Sequence, residues 1–194
     1  MSRKRLLERY PLLEDGRIAI DVSLESVEDL YDRFERAVPF IKKDLNDEFA
    51  DYLAESGREI GSLPFVVRLN LDRLPDESLM ERVRASIRHY FEYREGIEAR
   101  AMKKMFDTSL WLGAGGFLLL AGDITLTRFF AERAGVIGGI LLGGLTIAAW
   151  VALWESLANL LVNWAPRRSD IRLYRRLAGA EILFRETFVK AGPA

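Results

Sequence analysis

AGVIGGILLGGLTIAAWVALW, residues 134–154, carries no charged side chain and sets Gly135, Gly139 and Gly143 four residues apart. A helix turns once in about 3.6 residues, so these glycines fall near one face. A bilayer core is about 30 Å thick and takes roughly 20 apolar helical residues to cross. This stretch meets that length. The competing reading is a core helix of a soluble protein. A chain of 194 residues could hardly wrap such a helix on every side. The sequence therefore predicts a membrane span over 134–154.

A second candidate precedes it: TSLWLGAGGFLLLAGDITLTRFF, residues 108–130. Its charge-free part, 108–122, is short for a crossing. It spans only if Asp123 is tolerated toward one end and Arg128 extends its charge to the headgroups. A re-entrant or interfacial helix is the alternative. Only residues 131–134 separate the two stretches, which predicts an antiparallel transmembrane hairpin.

Further outward the composition changes. The chain is 49% hydrophobic and 29% charged, an average of two unlike parts. Residues 1–107 are dense in both charge signs, whereas 108–164 are almost free of charge. Three segments are expected: a cytoplasmic α+β domain with a helical stalk over 1–107, the hairpin over 108–164 with spans at 108–130 and 134–154, and a basic amphipathic C-terminal helix over 165–194. The whole reads as a predominantly helical membrane protein.

Orientation follows the Lys and Arg residues beside the spans. Arg100, Lys103 and Lys104 stand before the first. Arg167, Arg168, Arg172, Arg175 and Arg176 stand after the second. The connection offers only Arg128 and Arg133. Both termini are expected in the cytoplasm, with Trp111, Trp150, Trp154 and Trp164 near that interface. The N-terminal MSRKRLLERYPLLEDGR lacks the apolar run of a secretory signal.

Lipid tails are as apolar as leucine, so leucine burial gives helices little reason to associate in a bilayer. Small residues let backbones approach, and dispersion then favours contact. Gly135, Gly139 and Gly143 form such a row, widened by Gly138 and Gly144. On the first span Gly115 and Gly122 lie seven apart. The row can pack inside one hairpin or between subunits. A single hairpin has one internal interface, and the glycines cover more than one stripe, so a homo-oligomer is expected.

In the charged part, RIAIDVS (17–23) and PFVVRLNL (64–71) alternate and read as strands, each with one buried face. Between them Val27, Leu30, Tyr31, Phe34 and Val38 follow helical spacing, opened by a Ser26/Asp29 capping pair. Pro39 breaks or kinks this pattern. Ile41, Leu45, Phe49 and Tyr52 continue as a second helix, ending near Gly57. Pro75-Asp76-Glu77 starts a third, carried by Leu79, Val83, Ile87, Phe91 and Ile97 toward the first span. The order is β-α-α-β-α. Two strands alone are marginal in water, and their edges invite pairing with another chain.

After Pro166, residues Leu173, Leu177, Ala180, Phe184 and Phe188 share one side of a helix. Five arginines crowd the same stretch. The combination suits a helix lying on anionic headgroups. The alternative is a basic solvent face on a helix packed against the cytoplasmic domain.

Few residues offer chemistry. A formal net charge of −1 gives no global field for nucleic acid. The absence of cysteine removes disulfides, thiolate metal sites and a cysteine nucleophile. His89 is the single histidine, and its setting reads as a surface position. Asp44, Asn46, Glu48 and Glu55 match positions of a calcium loop. Phe49 stands where that loop needs glycine, so a solvated carboxylate face is expected instead. Gly113-Ala-Gly-Gly lies inside an apolar helix and makes no phosphate cradle. No metal, cofactor or catalytic constellation emerges, and an enzyme is not expected.

Asp123 stands out, because a carboxylate at membrane depth is expensive and often functional. Pairing with Arg128, lining a pore and taking up a proton are all open to it. A position at the end of a shortened span is the plain alternative. Glu155, Asn159 and Asn163 extend a polar stripe past the second span, suited to a pore vestibule or subunit seam or simply to a helix end at the interface. The expected role is a homo-oligomeric scaffold or pore with a cytoplasmic collar. The alternative is an accessory subunit whose hairpin packs on another membrane protein while its soluble domain recruits a partner.

Overall fold

The computed structural model describes residues 8–31, 45–130 and 135–187. In chain order it contains β1 (Ile18–Leu24), a 3-10 turn (Val27–Leu30), α1 (Asp47–Ile60), β2 (Phe65–Leu71), α2 (Glu77–Phe130), α3 (Gly135–Val162), α4 (Trp164–Ala178) and β3 (Ile182–Glu186). The chain is predominantly helical, with one small sheet.

Local chemistry accounts for the helix ends. At α1 the Asn46 side chain accepts the free backbone N–H of Glu48 at 2.8 Å, the usual task of an N-cap. Gly61 ends that helix with φ of 69°, a conformation that suits glycine. At α2 the Asp76 carboxylate accepts from the Leu79 N–H at 2.7 Å. The Ser26/Asp29 capping box forms as the sequence predicts, but it opens only the short 3-10 turn, and Tyr31 is already extended. The pattern from Phe34 through Pro39 to Ile41 lies outside the described residues.

The sheet is parallel, ordered β1-β2-β3. Ile20 pairs with Val67, and Val67 with Ile182. Central β2 buries Phe65, Val66, Val67, Leu69 and Leu71, the near-continuous apolar run of a parallel strand covered on both faces.

Here the C-terminal expectation needs correction. Residues 165–194 do not form one amphipathic helix. Helix α4 stops at Ala178, Gly179 and Ala180 turn the chain, and residues 182–186 become the third strand. Leu177 and Phe184 fit a helical spacing, but Ile182–Glu186 makes its hydrogen bonds to β2, more than a hundred residues earlier. Phe188 lies outside the described residues.

The chain divides into two compact units, one of Met1–Gly96 with Ile171–Ala194 and one of Ile97–Asp170. The first therefore takes sequence from both sides of the apolar stretch. Its core joins Ile20, Val67 and Leu69 of the sheet, Leu53 of α1, Val83, Ile87 and Phe91 of α2, and Leu173, Tyr174 and Leu177 of α4. Phe91 stacks on Tyr174 with centroids 6.2 Å apart. Arg94 donates to the Tyr174 hydroxyl at 3.4 Å, and Arg175 pairs with Glu95 at 2.7 Å. A bidentate pair at 2.5 and 2.7 Å ties Arg68 of β2 to Asp21 of β1.

The second unit contains most of the two apolar helices. Both are long and apolar enough to cross a membrane, and only 11% and 6% of their apolar windows is buried. Most of their apolar surface is left uncovered by the described residues, unlike that of a helix in the core of a soluble protein.

Candidate functional site

The contacts between α2 and α3 within the second unit form the site with the most chemistry. Three levels of contact join them. At one, the Ser156 hydroxyl donates to the Ser109 carbonyl at 2.7 Å, with Gly113 beside it. At the next, a methyl on Gly116 would stand 3.0 Å from Leu153 Cγ and 3.1 Å from both the Ala149 carbonyl oxygen and Ala152 Cβ. At the third, the Thr146 hydroxyl donates to Asp123 Oδ2 at 2.6 Å. Partner numbers fall on α3 as they rise on α2.

Glycine suits Gly113 and Gly116 because the opposing helix leaves little room for a side chain. A methyl on Gly113 would approach Ser156 Oγ to 2.9 Å. The sequence reading missed both positions. The signal was present: Ser109, Gly113, Gly116 and Asp123 are spaced 4, 3 and 7, and Thr146, Ala149, Leu153 and Ser156 are spaced 3, 4 and 3. Those are the intervals of two seams facing each other.

Gly115 and Gly122 on α2 and Gly135, Gly139 and Gly143 of the denser row on α3 differ: a Cβ at each would meet nothing within 4 Å among the described residues. Gly135 starts α3 with φ of 57°.

Asp123 is 7% exposed. Helix α2 continues past it to Phe130, so Asp123 does not stand at the helix end. Its hydrogen-bond partner is Thr146, not Arg128. Its second oxygen, Oδ1, is buried with no hydrogen-bond partner among the described residues, as is Ser109 Oγ. The Thr146 hydroxyl also lies 3.2 Å from the Leu142 carbonyl oxygen.

Glu155, Asn159 and Asn163 form a ladder along the end of α3. Asn159 Nδ2 meets Glu155 Oε1 at 3.4 Å, and Asn163 Nδ2 meets Asn159 Oδ1 at 2.9 Å. The ladder and Asp123 are not brought together, because Asp123 meets α3 at Thr146.

Several arginines expected at headgroups have protein partners. Arg167 pairs with Glu98 at 3.1 Å, and Arg175 with Glu95. Arg176 donates to the carbonyls of Gly61 and Leu63 and lies 4.7 Å over the Phe65 ring. Burial without an acidic partner holds its guanidinium below the ordinary value. Arg168 sits 4.9 Å over Trp164, and Arg172 is exposed. His89 is exposed on α2. Phe49 is buried inside α1, so that segment is helix and not a calcium loop; Asp44 lies outside the described residues.

No protein family, curated protein or solved structure matches the chain.

Proposed function

We propose that the chain is a two-pass integral membrane protein whose apolar hairpin carries a homo-oligomeric scaffold, with the sheet-bearing unit and both termini in the cytoplasm. The observation that carries this reading is β3. It follows the two apolar helices in sequence, yet pairs with β2, which precedes them. Paired strands cannot lie on opposite faces of a bilayer, so the chain must cross an even number of times. Two helices of sufficient length supply two crossings.

The aromatic residues fit. Trp111, Trp150 and Trp154 are exposed, and Trp111 and Trp154 flank the Ser109–Ser156 contact in sequence. From Trp111 to Phe129 a helix rises about 27 Å, close to a bilayer core of about 30 Å. The Lys and Arg excess on the Trp111 and Trp154 side selects the cytoplasm for that face.

Self-association is supported by the open glycines. Gly116 and Gly113 already serve the contact within the pair. Gly135, Gly139 and Gly143 remain clear on an exposed helix, where a second copy can approach closely. A scaffold is favoured over a pore because Asp123 turns to Thr146 and does not continue the Glu155–Asn163 line.

Native mass measurement of the full chain in mild detergent tests this. A single homo-oligomer is expected, shifting toward monomer in Gly139→Leu while flotation with liposomes is kept. A monomer that co-purifies with one other polypeptide would replace the scaffold with the accessory-subunit reading. Ion flux through the purified protein in liposomes would replace it with a pore. A chain that stays monodisperse without amphiphile would remove the membrane reading itself.

A further inference from the structure

Asp123 poses a problem that the scaffold leaves unsolved. On the membrane-spanning reading, on which this inference rests, Asp123 lies about 18 Å along the helix from Trp111 and about 10 Å from Phe130. That is well inside the hydrocarbon. Its carboxyl is buried, one oxygen is engaged by Thr146 and the other has no donor among the described residues. An ionised carboxylate wants donors at both oxygens, and burying it with one is costly.

The neighbouring hydroxyl supplies a way out. Thr146 Oγ1 lies 2.6 Å from Asp123 Oδ2 and 3.2 Å from the Leu142 carbonyl oxygen. A hydroxyl carries one proton and can also accept. With Asp123 ionised, Thr146 donates to Oδ2. With a proton on Oδ2, Asp123 donates to Thr146, and the Thr146 proton turns to Leu142. The same heavy-atom positions serve both states, and Oδ1 becomes a neutral carbonyl oxygen, whose lack of a donor costs less.

We propose that Asp123 and Thr146 form a proton-binding site within the apolar helix pair, across which the hydrogen bond reverses direction as the proton binds and leaves. Uptake adds one proton from water to Oδ2, and release returns it. Among the described residues no other charged side chain competes closely. Between Thr108 and Phe130 the only other one is Arg128, exposed and about 140° around α2. Helix α3 brings Thr146 and Leu142, and has no charged residue before Glu155. Glu132 and Arg133 lie outside the described residues.

The test uses the full chain in phosphatidylcholine–phosphatidylglycerol vesicles, with infrared spectra of the carboxylic C=O region recorded from acid to alkaline pH. The wild-type spectrum minus that of Asp123→Asn is expected to leave a carboxylic band at acid pH that disappears at alkaline pH. That variant keeps the shape of the neutral acid and can donate its amide to Thr146, so folding should survive; circular dichroism checks it. Thr146→Val should keep the band but shift its frequency. Identical wild-type and Asp123→Asn spectra at every pH would overturn the proposal. So would a band that no pH removes, or one unmoved in Thr146→Val. Flotation of the same vesicles reports separately on membrane insertion, so loss of the site and loss of the membrane reading are distinguishable.

Discussion

Phe91 and Leu141 are both large apolar side chains on helices, yet Phe91 is 1% exposed and Leu141 is 68% exposed. In the sheet-bearing unit the interior is made of Phe91, Leu53, Leu69 and Leu177. In the apolar pair the buried positions are Gly116, Ser109, Asp123, Ala149 and Ser156, while Leu110, Leu118, Leu141 and Leu161 are exposed. On the membrane-spanning reading proposed above, one chain follows two packing rules. In water, burying hydrocarbon stabilises. In lipid that gain disappears, and close backbone approach with polar contacts holds the helices together.

The largest expected effect lies at Phe91, which stacks on Tyr174 and meets Tyr90 edge-on at 5.3 Å. Phe91→Ala should cost the sheet-bearing unit about 3–5 kcal/mol, read as a lower denaturant midpoint of the full chain in micelles. A loss below about 1 kcal/mol would break the comparison, because surface positions behave that way.

How much of this was legible follows from the range of each interaction. Strands at 17–23 and 64–71 match β1 and β2 within a residue, since alternation is local. The run from Glu77 into the first apolar stretch as one helix was equally readable, because nothing between Asp76 and Phe130 breaks it. Strand β3 was not. Leu173, Leu177 and Phe184 satisfy a helical period, and only pairing with distant β2 makes 182–186 a strand. The Gly179 stop was a local hint. At the candidate site Asp123 was singled out, but Thr146 was not, because an uncharged hydroxyl gains meaning only from its partner. Gly116 was overlooked for a similar reason: a glycine row is visible in one helix, whereas a fitted seam needs two.

Gly116 and its neighbour Gly115 sharpen the comparison next. A side chain at Gly116 would collide with Leu153, Ala149 and Ala152, while one at Gly115 meets nothing within 4 Å. Gly116→Leu should destabilise the helix pair by about 1–3 kcal/mol, the usual range for overpacking. Gly115→Leu should leave it unchanged. Reversible dodecyl sulfate titration in mixed micelles measures both. Equal losses would mean that the pair does not meet along Gly116.

The smallest expected effect discriminates most finely between the two packing rules. Leu141→Ala removes as much hydrocarbon as a core truncation that costs about 2–5 kcal/mol in water. Both residues are good helix formers, so propensity changes little. The Leu141 position lies about 200° around α3 from the middle of the Gly135–Gly143 row, so a second copy seated on that row would not cover it. Its surroundings would be acyl chains, which the shorter side chain leaves to fill the space. The same dodecyl sulfate titration should therefore move by no more than about 0.5 kcal/mol, the scale of an ordinary surface substitution. A loss of core size would mean that protein, not lipid, covers this face, and the separation between the two rules would fail at its most exposed leucine-rich side.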